Sequence, residues 1–359
     1  MVWAVVFVVL GLVGVVLGAD WFVKGAAGLA RSAGISGLVI GLTVVAFGTS
    51  SAELAVSIQA AFTGHADLAV GNVVGSNIAN VLLILGFTAL MAPVRVALRV
   101  IKIDAPLVLA VSVLVWALAL DGSLSVLEGG LLFGGLVVHT VWLVVASRRA
   151  AQRPERRAGE AGAEADEEPV RPAWQNLIWL VVGLAALVGG ADRLVAGAST
   201  IARAFGVSEL VIGLTVVAVG TSLPELAASV VAARRGQADM ALGNIIGSNL
   251  FNLLCVLGGT AALTPVSVAP AALAVDLPLM IAVALLTWPL VTSGQVVGRL
   301  KGLLMVGLYG GYLFWQVGTS RGFIGPELGQ HLVNGALVGA GILAVLAALT
   351  VKRGAAPAV

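Results

Sequence analysis

The sequence predicts an all-α integral membrane fold with two inverted-topology repeats of five transmembrane helices and an extra C-terminal helix. Composition is the first observation: of 359 residues, 59% are hydrophobic and only 11% are charged, against about a quarter charged in soluble domains. The second is an internal duplication, and the third is the odd number of spans between its two copies.

Eleven apolar stretches are long enough to cross a hydrocarbon core about 30 Å thick. They cover residues 2–24, 36–63, 66–91, 97–119, 126–147, 174–203, 208–233, 238–263, 271–292, 300–318 and 331–351. An odd number of spans places the two chain termini on opposite sides of the membrane.

Lys and Arg residues fall mainly on alternate connections between these stretches. With the amino terminus outside, 17 of the 20 lie on the inner side, and only Arg193, Arg203 and Arg321 lie outside. This positive-inside bias predicts a multi-pass protein of the plasma (inner) membrane with a cytoplasmic carboxyl terminus.

The duplication aligns Gly18 to Gly86 with Gly190 to Gly258 at a constant offset of 172, and about 41 of the 69 positions are identical. Five spans separate equivalent points, so the second copy crosses in the opposite sense. Inverted repeats that enclose a midplane site are a recurrent plan of secondary transporters. The expected division is a first repeat over 1–147, a cytoplasmic linker over 148–173, a second repeat over 174–320, and an extra helix with its tail over 321–359.

Spans two and seven each carry a glutamate in an apolar surrounding, Glu53 in Gly48-Thr-Ser-Ser-Ala-Glu and Glu225 in Gly220-Thr-Ser-Leu-Pro-Glu. A charge at that depth costs at least ~3 kcal/mol on insertion scales and usually marks an ion pathway. Thr and Ser at positions i−4 and i−3 share a helix face with each carboxylate. Pro224 and the glycines favour local unwinding, which would free carbonyls to bind a cation.

Spans three and eight carry matching polar stripes with a spacing of four residues. The stripes are Asn72, Ser76 and Asn80 in the first copy, and Asn244, Ser248 and Asn252 in the second. Together with spans two and seven they supply oxygen ligands without His or Cys, which suits calcium, sodium or magnesium better than zinc, copper or iron.

With these paired motifs the sequence resembles the calcium/cation antiporter superfamily, in particular bacterial and archaeal sodium/calcium exchangers, over essentially all ten spans of the repeats. The resemblance implies cation coordination by twelve residues: Ala46, Thr49, Ser50, Glu53, Ser76, Asn80, Ala218, Thr221, Ser222, Glu225, Ser248 and Asn252. Two positions depart from the family pattern. Ala52 stands where proline is common, so the two helix breaks are not expected to be equal, and Asn252 stands where potassium-dependent members carry aspartate.

The expected function is antiport of Ca²⁺ for Na⁺ by alternating access, with the two ions competing for one site. Proton-coupled export of Ca²⁺ or another divalent cation stays open as the alternative, since a glutamate in a low-dielectric site can carry protons. A cation channel ranks lower, because inverted repeats with broken helices differ from a ring of filter loops. No enzyme motif, nucleotide-binding motif, cofactor or nucleic-acid partner is indicated, and stoichiometry, oligomeric state and the role of the eleventh helix stay undetermined.

Overall fold

The fold is almost entirely helical in a computed structural model that describes residues 1–151, 172–207, 212, 216–320 and 322–353. Most of the expected linker, including its acidic run from Glu155 to Glu168, lies outside the described residues. The expected division of the chain into domains therefore stays a proposal.

The first repeat contains six helices joined by short connections. They are α1 (Val2–Ala33), α2 (Gly37–Thr49), α3 (Ser51–Phe62), α4 (Ala66–Met91), α5 (Val100–Asp121) and α6 (Val126–Ala151). The second repeat and the C-terminal region contain α7 (Ala173–Ala204), α8 (Ala218–Thr221), α9 (Leu223–Arg234), α10 (Ala238–Leu263), α11 (Ala272–Thr292), α12 (Arg299–Ser320) and α13 (Pro326–Arg353).

Helix α1 runs nine residues further than hydropathy predicts, because its charged residues are paired inside the structure. Asp20 forms an ion pair with Lys24 one turn later, at 3.0 Å, and another with Arg235 after α9. These partners offset the cost of the charges. The helix ends only at Gly34, which adopts the left-handed conformation that glycine reaches without strain.

Helices α1 and α7, which are repeat mates, pack along their full lengths in antiparallel directions. Gly11 lies against Leu194, and Gly25 lies against Leu180. A Cβ at Gly11 would approach Gly190 O to 2.7 Å, so the glycines permit a contact that any larger residue would prevent. The antiparallel contact of equivalent helices confirms the inverted repeat.

Two short β-ladders connect the repeats at their ends. Strand β1 (Val94–Arg95) pairs with β4 (Val296–Val297), and β2 (Ser123–Leu124) pairs with β3 (Val266–Ser267), both antiparallel. Each ladder joins a loop of one repeat to a non-equivalent loop of the other, as a two-fold relation between the halves requires.

Seven of the described helices are long and apolar enough to span a membrane, or eight if α2 and α3 count as one broken span. The integral membrane fold is confirmed, while the total of eleven spans stays a prediction. Helix α13 packs mainly on α11, outside the two repeats.

Candidate cation site

The second span of each repeat is broken at a serine that the duplication makes equivalent. The chain leaves helical geometry at Ser50 (φ −77°, ψ 6°) and at Ser222 (φ −90°, ψ 4°), and α2 and α3 meet at an angle of 45°. Both breaks bring the carboxylate three residues later to the first turn of a new helix.

Ala52 favoured unequal breaks, yet the backbone angles at Ser50 and Ser222 are alike. In a regular helix the N–H of residue 52 would donate to Gly48 O, and the proline at the mate position, Pro224, lacks that N–H. In the first repeat Ser51 Oγ donates to Gly48 O instead, at 2.7 Å. The break in the first repeat is thus accompanied by a side-chain hydrogen bond, and the break in the second repeat by a proline.

The two glutamates lie together in the centre of the protein. Glu53 is 1% exposed and Glu225 is 2% exposed. Ser50 Oγ of the first repeat donates to Glu225 Oε1 of the second at 3.3 Å. No Lys or Arg side chain of the described residues forms an ion pair with either carboxylate.

An asparagine on the following helix holds each carboxylate-bearing helix in place. Asn72 Nδ2 donates to Glu53 O at 3.2 Å and to Ser57 Oγ at 3.0 Å. In the second repeat Asn244 Nδ2 donates to Glu225 O at 3.3 Å and to Ser229 Oγ at 2.9 Å. The four bonds follow the offset of 172 throughout, so both halves position their glutamate in the same way.

Helices α4 and α10 bring their polar stripes to the same buried region. Ser76, Asn80, Ser248 and Asn252 are all buried, and a π-helical turn begins at each of Asn80 and Asn252. Asn80 Nδ2 donates to Asn249 Oδ1 at 3.0 Å, a further hydrogen bond between the two repeats.

Six buried oxygens among the predicted ligands neither accept nor donate a hydrogen bond to any residue that the structure describes. They are Glu53 Oε2, Asn80 Oδ1, Ser222 Oγ, Glu225 Oε2, Ser248 Oγ and Asn252 Oδ1. An unsatisfied buried polar atom typically costs about 1–3 kcal/mol, and more when it is charged. Six such atoms in one region therefore suit a ligand that is coordinated by oxygen atoms, namely a hard cation.

Among the other predicted ligands, Thr49 and Ala46 are already engaged in hydrogen bonds within the protein. Thr49 Oγ1 lies 3.2 Å from Val45 O, 3.3 Å from Ala46 O and 3.2 Å from Asn244 Oδ1, and Ala46 O also accepts the N–H of Ser50. Thr221 is partly buried in α8, which begins at Ala218.

Three positions beside the site were not singled out from the sequence. Ser57 and Ser229 accept from the bracing asparagines, and Asn249 accepts from Asn80. A sequence signal existed for all three, because each is identical to its mate at the offset of 172, and Ser57 and Ser229 lie one turn after a glutamate.

The two ends of the site differ in how tightly they are closed. Gly243 and Asn244 of α10 are buried, whereas their mates Gly71 and Asn72 of α4 are exposed and partly exposed. Leu38, Gly41 and Leu42 of α2 cover Gly243, whereas the positions equivalent to them, 210, 213 and 214, lie outside the described residues.

Comparison with known proteins identifies the family. The model of the sodium/calcium exchanger protein family matches residues 3–145 and 175–318, which together include both broken spans and both polar stripes. The chain belongs to this family of membrane antiporters. The extra helix α13 lies outside the matched residues.

Individual relatives align with this exchanger-family chain over nearly their whole lengths. The putative antiporter CaxA of Alkalimonas amylolytica is 43% identical over 87% of this chain and 98% of its own length. The sodium/calcium exchanger MaX1 of Methanosarcina acetivorans is 36% identical over 85% of this chain and 95% of its own. The sodium-calcium exchanger NCX_Mj, in a structure soaked without Na⁺ and Ca²⁺, aligns with a TM-score of 0.73 at 31% identity, covering 86% of this chain and 97% of that one.

Proposed function

We propose that this exchanger-family protein moves Ca²⁺ in one direction in exchange for Na⁺ in the other, at one site formed by the twelve predicted residues. Glu53 and Glu225 supply two negative charges, which balance one Ca²⁺. Several Na⁺ ions occupying the same oxygens would compete with Ca²⁺, and competition without simultaneous binding couples the two fluxes.

The observation that carries the proposal is the set of six buried oxygens without hydrogen-bond partners. Ca²⁺ takes six to eight oxygen ligands at 2.3–2.6 Å and tolerates irregular geometry. Carboxylate, amide and hydroxyl oxygens from four helices of two repeats provide such a set. The relatives MaX1 and NCX_Mj are named as sodium/calcium exchangers, which supports Ca²⁺ and Na⁺ as the two ions.

Alternating access follows from the inverted repeat. The two halves are related by inverted topology, and exchange of their conformations would open the one site to each side of the membrane in turn. An empty site with two buried like charges disfavours the closed intermediate. Bound Ca²⁺ or Na⁺ removes that penalty, so we infer that the halves rearrange only when loaded.

We also propose that the amino terminus is outside and the carboxyl terminus is cytoplasmic, in the plasma or inner membrane. The distribution of Lys and Arg supports this orientation, and a relative of Escherichia coli, 39% identical, is named an inner membrane protein.

Calcium-45 uptake into proteoliposomes, driven by an outward sodium gradient, tests the function. We expect uptake by the wild type, loss of uptake with Glu53→Gln or Glu225→Gln, and normal uptake with Glu327→Gln, a change to an exposed acid at the start of α13. Proton-gradient, potassium-gradient and no-gradient vesicles are the matched controls. Transport at the wild-type rate by the Glu53→Gln, Glu225→Gln double variant would refute the site.

Proton coupling is the second candidate, and one observation favours it. The two buried carboxylates have no ion-pair partner among the described residues, so protons are the simplest means of removing their charge in the absence of a metal. Uptake driven by a proton gradient alone, and equally sensitive to Glu53→Gln, would select this function.

A further inference from the structure

Each polar stripe is accompanied by one further buried asparagine. Asn77 of α4 precedes the proposed ligand Asn80 by three residues, and Asn249 of α10 precedes Asn252 by the same number. The offset of 172 makes Asn77 and Asn249 equivalent, and they are 4% and 2% exposed. Buried side-chain amides are normally hydrogen-bonded, so the partners of these two side chains bear on the geometry of the site.

The asparagine of the second repeat orients a ligand of the first. Asn80 Nδ2 donates to Asn249 Oδ1 at 3.0 Å. A side-chain amide has donors at one end and an acceptor at the other, so this bond fixes which end of Asn80 faces away from Asn249. The end that stays free is Asn80 Oδ1, which is buried without a partner among the described residues. Reversal of the amide would bring two carbonyl oxygens together, so Asn249 keeps the oxygen of Asn80 available to a cation.

The equivalent bond of the other half is not formed. By the duplication Asn252 would donate to Asn77 Oδ1, yet Asn77 Oδ1 and Asn252 Oδ1 are both buried without a partner among the described residues. Asn77 Nδ2 instead contacts Met280 Sδ of α11 at 3.5 Å, and a thioether is a weak acceptor. The position equivalent to Met280 is Val108 of α5, whose side chain offers no acceptor to Asn249. Identical asparagines therefore have different partners in the two halves.

We propose that Asn249 and Asn77 are positioning residues that act in turn. Asn249 orients the ligand Asn80 in the conformation of this structure, and Asn77 orients the ligand Asn252 in the opposite one. The inference rests on the proposed function, because it requires the two halves to exchange conformations around one cation site. When halves of inverted topology exchange conformations, a contact made by one of two equivalent pairs passes to the other pair. Asn249 should therefore matter for cation binding from one side of the membrane, and Asn77 for binding from the other.

A double-mutant cycle on Ca²⁺ binding tests whether Asn249 acts through Asn80. The purified full-length protein is titrated with CaCl₂ in a calorimeter as the wild type, Asn249→Leu, Asn80→Ala and the double variant. Asn249→Leu keeps the size of the side chain and removes the acceptor, so we expect a dissociation constant about fivefold higher, as the loss of one hydrogen bond gives. In the Asn80→Ala background the same change should alter the constant by less than about twofold, because the residue that it orients is gone.

The cycle separates this inference from the function on which it rests. Equal effects of Asn249→Leu in both backgrounds, with normal binding by the wild type, would overturn the inference alone, since a merely structural role does not depend on Asn80. A wild-type protein that binds no Ca²⁺ would refute the proposed function and the inference together. If Asn249→Leu does not fold, Asn249→Ser takes its place in the cycle, because its side chain is too short to accept from Asn80.

Transport from the two sides of the membrane tests the alternation. Right-side-out and inverted vesicles from cells that express the protein present opposite faces to external Ca²⁺, and the KM for sodium-driven calcium-45 uptake is measured in both. We expect Asn249→Leu to raise KM about fivefold in one orientation only, and Asn77→Leu, its matched variant, to do so only in the other. A rise in the same orientation for both variants, equal rises in both orientations, or no change in either variant would overturn the proposal.

Discussion

Gly41 of α2 and Gly243 of α10 pack backbone against backbone and close one side of the cation site. A Cβ on either glycine would lie 3.1 Å from the Cα of the other. It would also lie 2.5 Å from a carbonyl oxygen, Met240 O for Gly41 and Leu38 O for Gly243. The equivalent position in α4, Gly71, is exposed and has no atom of the described residues within 4 Å of its Cβ position.

This contrast predicts different effects of valine at two equivalent glycines. Gly243→Val overpacks the closed side and should lower stability by about 1–3 kcal/mol, seen as a lower melting temperature of the purified protein. Gly71→Val should leave the melting temperature near that of the wild type, because no described atom lies within 4 Å of the Cβ position of Gly71. If the halves exchange roles during transport, both variants should lose calcium-45 uptake. Normal uptake by Gly71→Val would contradict the exchange of roles.

The two bracing asparagines should also differ in their contribution to stability. Asn244 is buried and contacts Ser229, the Glu225 carbonyl and Thr49, so Asn244→Ala leaves buried partners unsatisfied at a cost of about 1–3 kcal/mol. Asn72→Ala should cost less, because Asn72 is partly exposed and water can replace its amide. Thermal unfolding in the same detergent measures both, and equal melting temperatures would rule out this explanation.

Removal of the hydroxyl at Ser50 should weaken calcium binding. Ser50 Oγ donates to Glu225 Oε1 at 3.3 Å and thereby orients that carboxylate. Loss of one such bond is worth about 1 kcal/mol, so Ser50→Ala should raise the dissociation constant for Ca²⁺ about fivefold. Ser112→Ala is the control, because Ser112 is also buried but donates only to Val108 O of its own helix. Isothermal titration with CaCl₂ distinguishes them, and a similar change in both variants would argue against a role specific to the site.

A third carboxylate at position 252 should change the pH dependence of transport. Asn252→Asp makes the empty site more negative, so we expect tighter Ca²⁺ binding at alkaline pH. At acid pH the added carboxyl binds a proton and competes with Ca²⁺, so uptake should fall more steeply than in the wild type as pH decreases. Calcium-45 uptake from pH 6 to pH 9 measures this. Asn80→Asp, at the mate position, should behave alike, and an unchanged profile in both variants would place these residues outside the site.

The ends of most helices could be predicted from the sequence because they depend on local chemistry. Hydropathy alone placed α4 and α10 at the bounds that the structure has. Gly64 and Gly236 adopt left-handed conformations just before these two helices, so a local turn marks where each begins. Hydropathy failed for α1, because the residues that neutralise Asp20 include Arg235, which is 215 positions away along the chain. Predicting the extension of α1 would have required that contact to be known.

The sequence alone determined the inverted repeat, the integral membrane class and the presence of two equivalent carboxylates, because a constant offset and runs of apolar residues can be read without any fold. Only the tertiary structure decided that the backbone angles at Ser50 and Ser222 are alike despite Ala52, and that Asn72 and Asn244 brace the broken helices. Neither could follow from the duplication, which shows that two stretches are equivalent but not what they touch. The bracing contacts join residues 19 positions apart on neighbouring helices, and packing between helices, which a local pattern does not contain, brings them together.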